Sequence, residues 1–214
     1  MSADILEGRE LGLARGAKQL FAGLSFAVGS GHALVLRGPN GVGKTSLLRV
    51  LAGLTEADAG EVWVGAKPTQ SLSAASRSTV LYIGHANALK DDFTAAENLT
   101  DQLALDANPA GTEQQDEALR AVGLFERRDV LTRRLSQGQK RRIGLARLHL
   151  SRGVAHKRVW LLDEPTNALD ADGSALFLQI VDAHLAEGGV AVIATHLPMA
   201  LSGKVDEMHM REIV

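Results

Sequence analysis

Two stretches in the last third of the chain are apolar almost without interruption: "RVWLLDEP" at 158–165 and "GGVAVIATH" at 188–196. A strand with one wet face alternates, whereas a strand covered on both faces does not. These runs therefore predict parallel strands inside a sheet. Between them "ADGSALFLQIVDAHLAEGG" reads as a helix, and strand–helix–strand predicts a right-handed crossover in an α/β sheet. "HALVLR" at 32–37 is a third compact apolar run. The "TSLLRVLAG" that follows spaces Leu47, Leu48, Val50 and Leu51 for one helical face, with Gly53 as the stop. The rest of the opening third reads as short strands and turns at 5–14, 23–31, 61–65 and 78–84, bounded by glycines. From about residue 88 to 150 the pattern turns helical, at 94–105, at 112–124 and after Ser136, with "DANPAGT" as a loop. The expectation is an α/β core carrying a helical insertion at about 88–150. No repeat or low-complexity tract interrupts it.

Composition narrows the partners. The 214 residues suffice to bury a full core. The formal net charge of -2 gives no strong pull toward nucleic acid or anionic lipid. Cysteine is absent, which removes disulfides, thiolate-bound zinc and thiol catalysis. The first residues carry neither a basic nor an apolar leader region, so no signal peptide is expected. No apolar run approaches the ~18 residues of a membrane span. A cytoplasmic chain is expected.

"GPNGVGKT", Gly38 to Thr45, matches G-x-x-x-x-G-K-[ST] between a predicted strand and a predicted helix, the setting a phosphate-binding P-loop requires. Its glycines let backbone N–H groups turn inward around phosphate oxygens, and the helix start adds a favourable dipole. The candidate nucleotide contacts are Gly38, Pro39, Asn40, Gly41, Gly43, Lys44, Thr45 and Ser46. Lys44 brings a positive charge to the outer phosphates and Thr45 a hydroxyl for Mg²⁺.

A P-loop needs a carboxylate for its magnesium. Asp163 and Glu164 stand at the carboxyl end of the 158–165 run, the edge where α/β sheets bind ligands. Such a pair often only caps the next helix, but beside a P-loop it has chemistry to do. Asp163 suits Mg²⁺ and Glu164 suits polarising the attacking water. A strand-end histidine is usually structural. In a parallel sheet, however, His196 shares one edge with Gly38 and Glu164 and can reach the γ-phosphate. Glu164, His196 and Lys44 are the candidate catalytic residues.

"LSQGQKRRIGLARL", from Leu135 to Leu148, opens as a helix with Ser136 as N-cap and Gln139 completing a capping box. Gly138 in the first turn weakens the helix, and reads as a bare approach for a second anion. One chain thus carries two phosphate cradles, separated by helices.

At this point the chain resembles the ATP-binding subunits of ABC transporters, over nearly its whole length. "GPNGVGKT" resembles the Walker A motif, "LSQGQ" the signature (usually LSGGQ), "VWLLDEP" the Walker B, "NALD" at 167–170 the D-loop, and His196 the switch histidine. The resemblance implies one ABC ATPase domain over 1–214: a P-loop α/β core, an N-terminal antiparallel β region and the inserted helices. It also implies ATP and Mg²⁺ as cofactors and a head-to-tail homodimer. In that dimer Ser136, Gly138 and Gln139 complete the partner's ATP site. "YIGHANALKDDFTAAENL", "RRIGLARLHL", "THLPM" and the short length resemble, within that family, the ATPase of the haem exporter of cytochrome c maturation. That implies multi-spanning membrane subunits as partners, a peripheral place on the cytoplasmic face of the bacterial inner membrane, and no direct haem binding.

Two departures stand out. Where the family stacks an aromatic on adenine, this chain has "LARGAK", leaving Arg15 as a stacking candidate. Where the family has its Q-loop glutamine, this chain has Ala86, flanked by His85 and Asn87. Of these, His85 is the favoured partial substitute. The ATPase subunit of an ABC transporter for another substrate and a non-transport ABC ATPase remain alternatives. A GTPase is disfavoured by the lack of N-K-x-D, and a non-catalytic scaffold by the intact Glu164 and His196.

Overall fold

The computed structural model describes residues 4–68, 79–154 and 158–212. Ser78, the first residue of the 78–84 run, lies outside them. Nine strands are described: β1 (Asp4–Arg15), β2 (Lys18–Gly29), β3 (His32–Arg37), β4 (Ala59–Val64), β5 (Lys67–Pro68), β6 (Val80–Ile83), β7 (Val159–Asp163), β8 (Val190–Ala194) and β9 (Lys204–His209). The described α-helices are α1 (Lys44–Leu51), α2 (Ala95–Leu105), α3 (Thr112–Ala121), α4 (Gln137–Ser151) and α5 (Ala171–Ala186).

The central sheet is parallel in the order β6-β7-β8-β3-β9. Every residue of β7 and β8 is buried, as their unbroken apolar runs require. Successive side chains nevertheless serve different cores. Trp160, Leu162, Ala191 and Ile193 pack among the helices α2 to α5. Val159, Leu161, Val190, Val192 and Ala194 pack under α1 and the antiparallel sheet. The period of two persists inside a run that looks uniform because both faces are dry.

The antiparallel sheet runs β2-β1-β4-β5. Here the short strands expected at 5–14 and 23–31 are corrected. β1 and β2 are 12 residues each and form one hairpin across the turn at Gly16. The glycines inside them do not end the strands. They accompany register shifts, as between Gly8 and Leu11, that let one long ribbon bend over the core.

Between β6 and β7 the chain is helical from Ala95 rather than 88, because residues 84–94 form no helix. Thr94 caps α2 with a full box: its hydroxyl accepts from the Glu97 amide at 3.2 Å, and Glu97 accepts from the Thr94 amide at 2.7 Å. Such caps contribute about 1 kcal/mol each. The loop before the helix is tied to it by Asn98, 1% exposed, which accepts from the Lys90 amide and donates to the carbonyls of Lys90 and Thr94 and to Thr132 Oγ1. α4 packs on α2 and α3 and also reaches α5. No helix among the described residues is long and apolar enough to cross a membrane.

Candidate active site

All strands of the central sheet run the same way, so β3, β7 and β8 end along one edge. β3 ends at Arg37 and passes into Gly38, which has φ +139 and whose Cβ, if present, would lie 2.5 Å from the Met210 carbonyl. Only glycine fits that backbone and that neighbour. Gly43 caps α1 at φ 112, and Lys44 opens the helix. The Lys44 ammonium is 2.6 Å from the Gly38 carbonyl and 3.0 Å from that of Pro39, so the loop curls around its own cation. Gly38 and Pro39 themselves do not line the adjoining cleft. Asn40, Gly41, Gly43, Lys44, Thr45 and Ser46 line an open cleft of about 490 Å³.

The carboxylates arrive from β7. Asp163, 2% exposed, accepts from Thr45 Oγ1 at 2.9 Å. Glu164 follows at φ +47, in the left-handed region that a non-glycine residue occupies at a cost of about 1–2 kcal/mol. Its backbone is held on both sides: its amide donates to the Ala194 carbonyl at 2.8 Å, and its carbonyl accepts from Arg141. Its carboxylate faces His196, whose Nδ1 lies 3.1 Å from Oε2. The Glu164 side chain is 12% exposed and that of His196 58%. Arg37 fastens the segment around His196 by donating to the carbonyls of Thr195 and Leu197, and it pairs with Glu207. Asp163, Glu164, Asn167 and His196 line the same cleft as the P-loop, with Arg15 and His85.

Ser136, Gly138 and Gln139 lie elsewhere. They line a second recess with Gly123, Arg142, Ala168 and Asp170, and it shares no residue with the first. The 167–170 turn divides the two, Asn167 facing one and Ala168 and Asp170 the other. The expected capping box is present: Ser136 Oγ accepts from the Gln139 amide at 3.2 Å, and Gln139 Oε1 accepts from the Ser136 amide at 2.9 Å. The first-turn N–H groups of a helix lack backbone acceptors within it; here the Gln139 amide is taken by the cap, and Gly138 lines the recess beside it. Gly138 has a second reason to be bare. A Cβ there would lie 2.8 Å from the chain's own Ala168 carbonyl. Asp170 caps α5 and pairs with Arg142; the Gly173 amide, then Arg142, hold its carboxyl below the usual range.

The three residues at the missing glutamine divide their orientations. His85 is exposed and lines the cleft, Ala86 is exposed, and Asn87 turns inward to accept from Arg141 at 3.0 Å. Arg141 is not among the site residues expected from the sequence. A signal was there: Arg141, Leu145 and Leu148 share one buried helical face at i, i+4 and i+7.

The ABC transporter family model matches residues 21–167. The protein named "Cytochrome c biogenesis ATP-binding export protein CcmA" from Nitrosomonas europaea is 40% identical over 93% of this chain and 92% of its own. Its namesake from Pseudomonas putida is 46% identical over 89% of each chain, and that from Nitrobacter winogradskyi 43% over 93% and 95%. Among solved structures, a putative ABC transporter ATP-binding protein from Pyrococcus furiosus superposes with a TM-score of 0.81 at 21% identity, covering 96% of both chains. A dimeric ATP-binding cassette bound to ADP and phosphate gives 0.77 at 21% identity, over 90% of this chain and 88% of that one.

Proposed function

The chain belongs to the ABC transporter family, as an ATP-hydrolysing subunit, and on that premise we propose that it powers haem export for c-type cytochrome biogenesis. The relatives' shared role in cytochrome c biogenesis export supports the cargo class. In this reading the chain sits on the cytoplasmic face of a bacterial inner membrane, bound to multi-spanning subunits, with the haem handled by those subunits.

The observation that carries the reaction is the single cleft that joins the P-loop to Asp163, Glu164 and His196. The loop amides and Lys44 bind the β- and γ-phosphates. Thr45 Oγ1 and Asp163 Oδ2, 2.9 Å apart at the helix start, form a hard-oxygen pair that suits Mg²⁺, an ion usually held by one or two protein ligands plus phosphate and water. Bound there, it would neutralise phosphate charge. Glu164 takes the proton of the attacking water, and His196 holds the carboxylate in place through Nδ1. Arg15, exposed at the cleft rim, is the candidate platform for the adenine. Two copies pair head to tail, and the Ser136–Gln139 helix start of one closes on the γ-phosphate held by the other. The separation of the two recesses within one chain supports this pairing. Residues 88–150 act in it as a helical subdomain.

The test is replacement of the corresponding ATPase in a bacterium that makes c-type cytochromes. This chain should restore covalently bound haem in those cytochromes, and its Lys44→Ala variant should not, because it loses the cation that binds the phosphates. Restoration by Lys44→Ala, or none by the wild type in the presence of its own membrane subunits, would overturn the reading.

A further inference from the structure

Arg141 is 3% exposed, yet it is no leftover of a surface charge run. A guanidinium carries five N–H donors, and here five acceptors meet them. Nε donates to the Pro165 carbonyl at 2.9 Å. Nη2 donates to the carbonyls of Asp163, at 3.0 Å, and Glu164. Nη1 donates to the Gly84 carbonyl at 3.2 Å and to Asn87 Oδ1 at 3.0 Å. Burial lowers its pKa, while the Asp163 and Glu164 carboxylates oppose the shift. A charge so placed is tolerable only with every donor matched, which makes the arrangement geometrically exacting.

The three groups it joins come from separate parts of the fold. Arg141 stands in the helix that begins at the Ser136 cap. Gly84 and Asn87 belong to the segment leaving β6, whose Asn87 carbonyl also accepts from Gln102 of α2 at 3.3 Å. Asp163 to Pro165 form the end of β7, where Glu164 is held at φ +47. A left-handed glutamate is not the resting conformation of a free strand end, so something must hold it. The Ala194 carbonyl holds its amide and Arg141 its carbonyl.

We propose that Arg141, with Asn87, is a positioning residue for hydrolysis: it locks the Ser136 helix start, the 84–87 segment and the backbone of Glu164 into one rigid unit. The two ends of that unit belong to different ATP sites, the Glu164 end to the chain's own cleft and the Ser136 end to the site of a second copy. Closure at one site is thereby transmitted to the carboxylate of the other. This inference rests on the ATPase reading above.

The test uses the full chain and three substitutions. Asn87→Ala removes one bond and leaves the buried charge in place. Asn87→Asp keeps an acceptor for the guanidinium. Arg141→Lys keeps the charge but cannot span all five partners. Backbone hydrogen exchange is measured without nucleotide, and ATP turnover and KM are measured separately. In Asn87→Ala, exchange should quicken together at 84–88 and at 163–167. Its kcat should fall about tenfold, the scale of a misplaced catalytic group, while KM for ATP moves by less than about twofold. Asn87→Asp should recover most of the loss, and Arg141→Lys, if it folds, should exceed it. Faster exchange confined to 84–88, or a raised KM with kcat unchanged, overturns the proposal without touching the ATPase reading. A wild-type chain that turns over no ATP with its membrane subunits present would overturn that reading and the positioning role with it, while the exchange data would still decide the lock itself.

Discussion

His196 Nδ1 lies 3.1 Å from Glu164 Oε2 and 3.2 Å from Oε1, though 32 residues separate the two in the chain. Strand register makes the meeting. Asp163 pairs with Ala194 across β7 and β8, so each residue stands just beyond the end of its strand. With Nδ1 donating to the carboxylate, the other ring nitrogen is left for a ligand in the cleft.

The pair predicts two different losses. Glu164→Gln keeps an oxygen that can accept from Nδ1 but cannot take a proton. It should bind ATP as the wild type does and hydrolyse it about 10²–10⁴-fold more slowly, the span of a general-base contribution. His196→Ala should lower kcat with nucleotide affinity retained, because Lys44 and the loop amides are untouched. Equilibrium binding and steady-state turnover on both variants check this. Wild-type turnover by Glu164→Gln would assign the water to another group.

Gly138→Ala adds a single methyl, and that methyl meets the Ala168 carbonyl at 2.8 Å. Ala168 is itself at φ +66, in a turn with little room to retreat. Overpacking of this kind costs about 1–3 kcal/mol, so the melting temperature should fall by several degrees. Because Ala168 and Gly138 line the second recess, ATP binding by the isolated chain should persist while hydrolysis drops. With the head-to-tail pairing proposed above, Gly138→Asp should stop hydrolysis altogether, since it would add like charge against the γ-phosphate bound by the second copy. An unchanged melting curve for Gly138→Ala would show that the turn yields freely.

The sequence made much of this legible, and the reasons are specific. The runs at 158–165 and 188–196 could only be doubly covered strands, and that placed Asp163, Glu164 and His196 on one edge. The Ser136 and Gln139 box was readable because a cap is decided within four residues. What escaped depends on distant chain. The long ribbon of β1 and β2 looked broken at its glycines, since a bulge and a strand end share the same local residues. Arg141 went unmarked, since its five acceptors lie 22 to 57 residues away. The Ala168 carbonyl against Gly138 has no local signature at all.

His85 is the one member of the 85–87 stretch that lines the cleft. His85→Ala should therefore lower ATP turnover and blunt the response of the rate to the membrane subunits. Ala86 is exposed and lines neither recess, so Ala86→Gln should be tolerated or raise the basal rate. Turnover measured with and without membrane subunits decides the matter. Unchanged rates in both conditions for His85→Ala would make it a surface residue.

His184 yields a prediction about pH rather than catalysis. Its ring stacks on Trp160 at 3.7 Å and 4°, at the opposite ends of their elements from the cleft, and it is 3% exposed. Burial lowers its pKa from 6.5 to about 4; the carbonyls of Val190 and Arg158 oppose this, as does the Glu187 carboxylate, while the Arg158 charge adds to it. The folded chain thus refuses a proton that the unfolded chain accepts. The neutral ring's contribution is complete above pH 6.5, is lost progressively as pH falls from 6.5 to about 4, and changes no further below that. The displacement corresponds to about 3 kcal/mol. His149, whose pKa burial also lowers, acts in the same direction and is common to wild type and variant. His184→Leu keeps an apolar group against Trp160 and removes the titration. Urea unfolding at pH 8 and at pH 5 should show the wild type losing more stability than the variant, by about 2 kcal/mol over that interval. Equal losses would mean that the imidazole is protonated inside the fold, with Trp160 and the Val190 carbonyl accepting its charge.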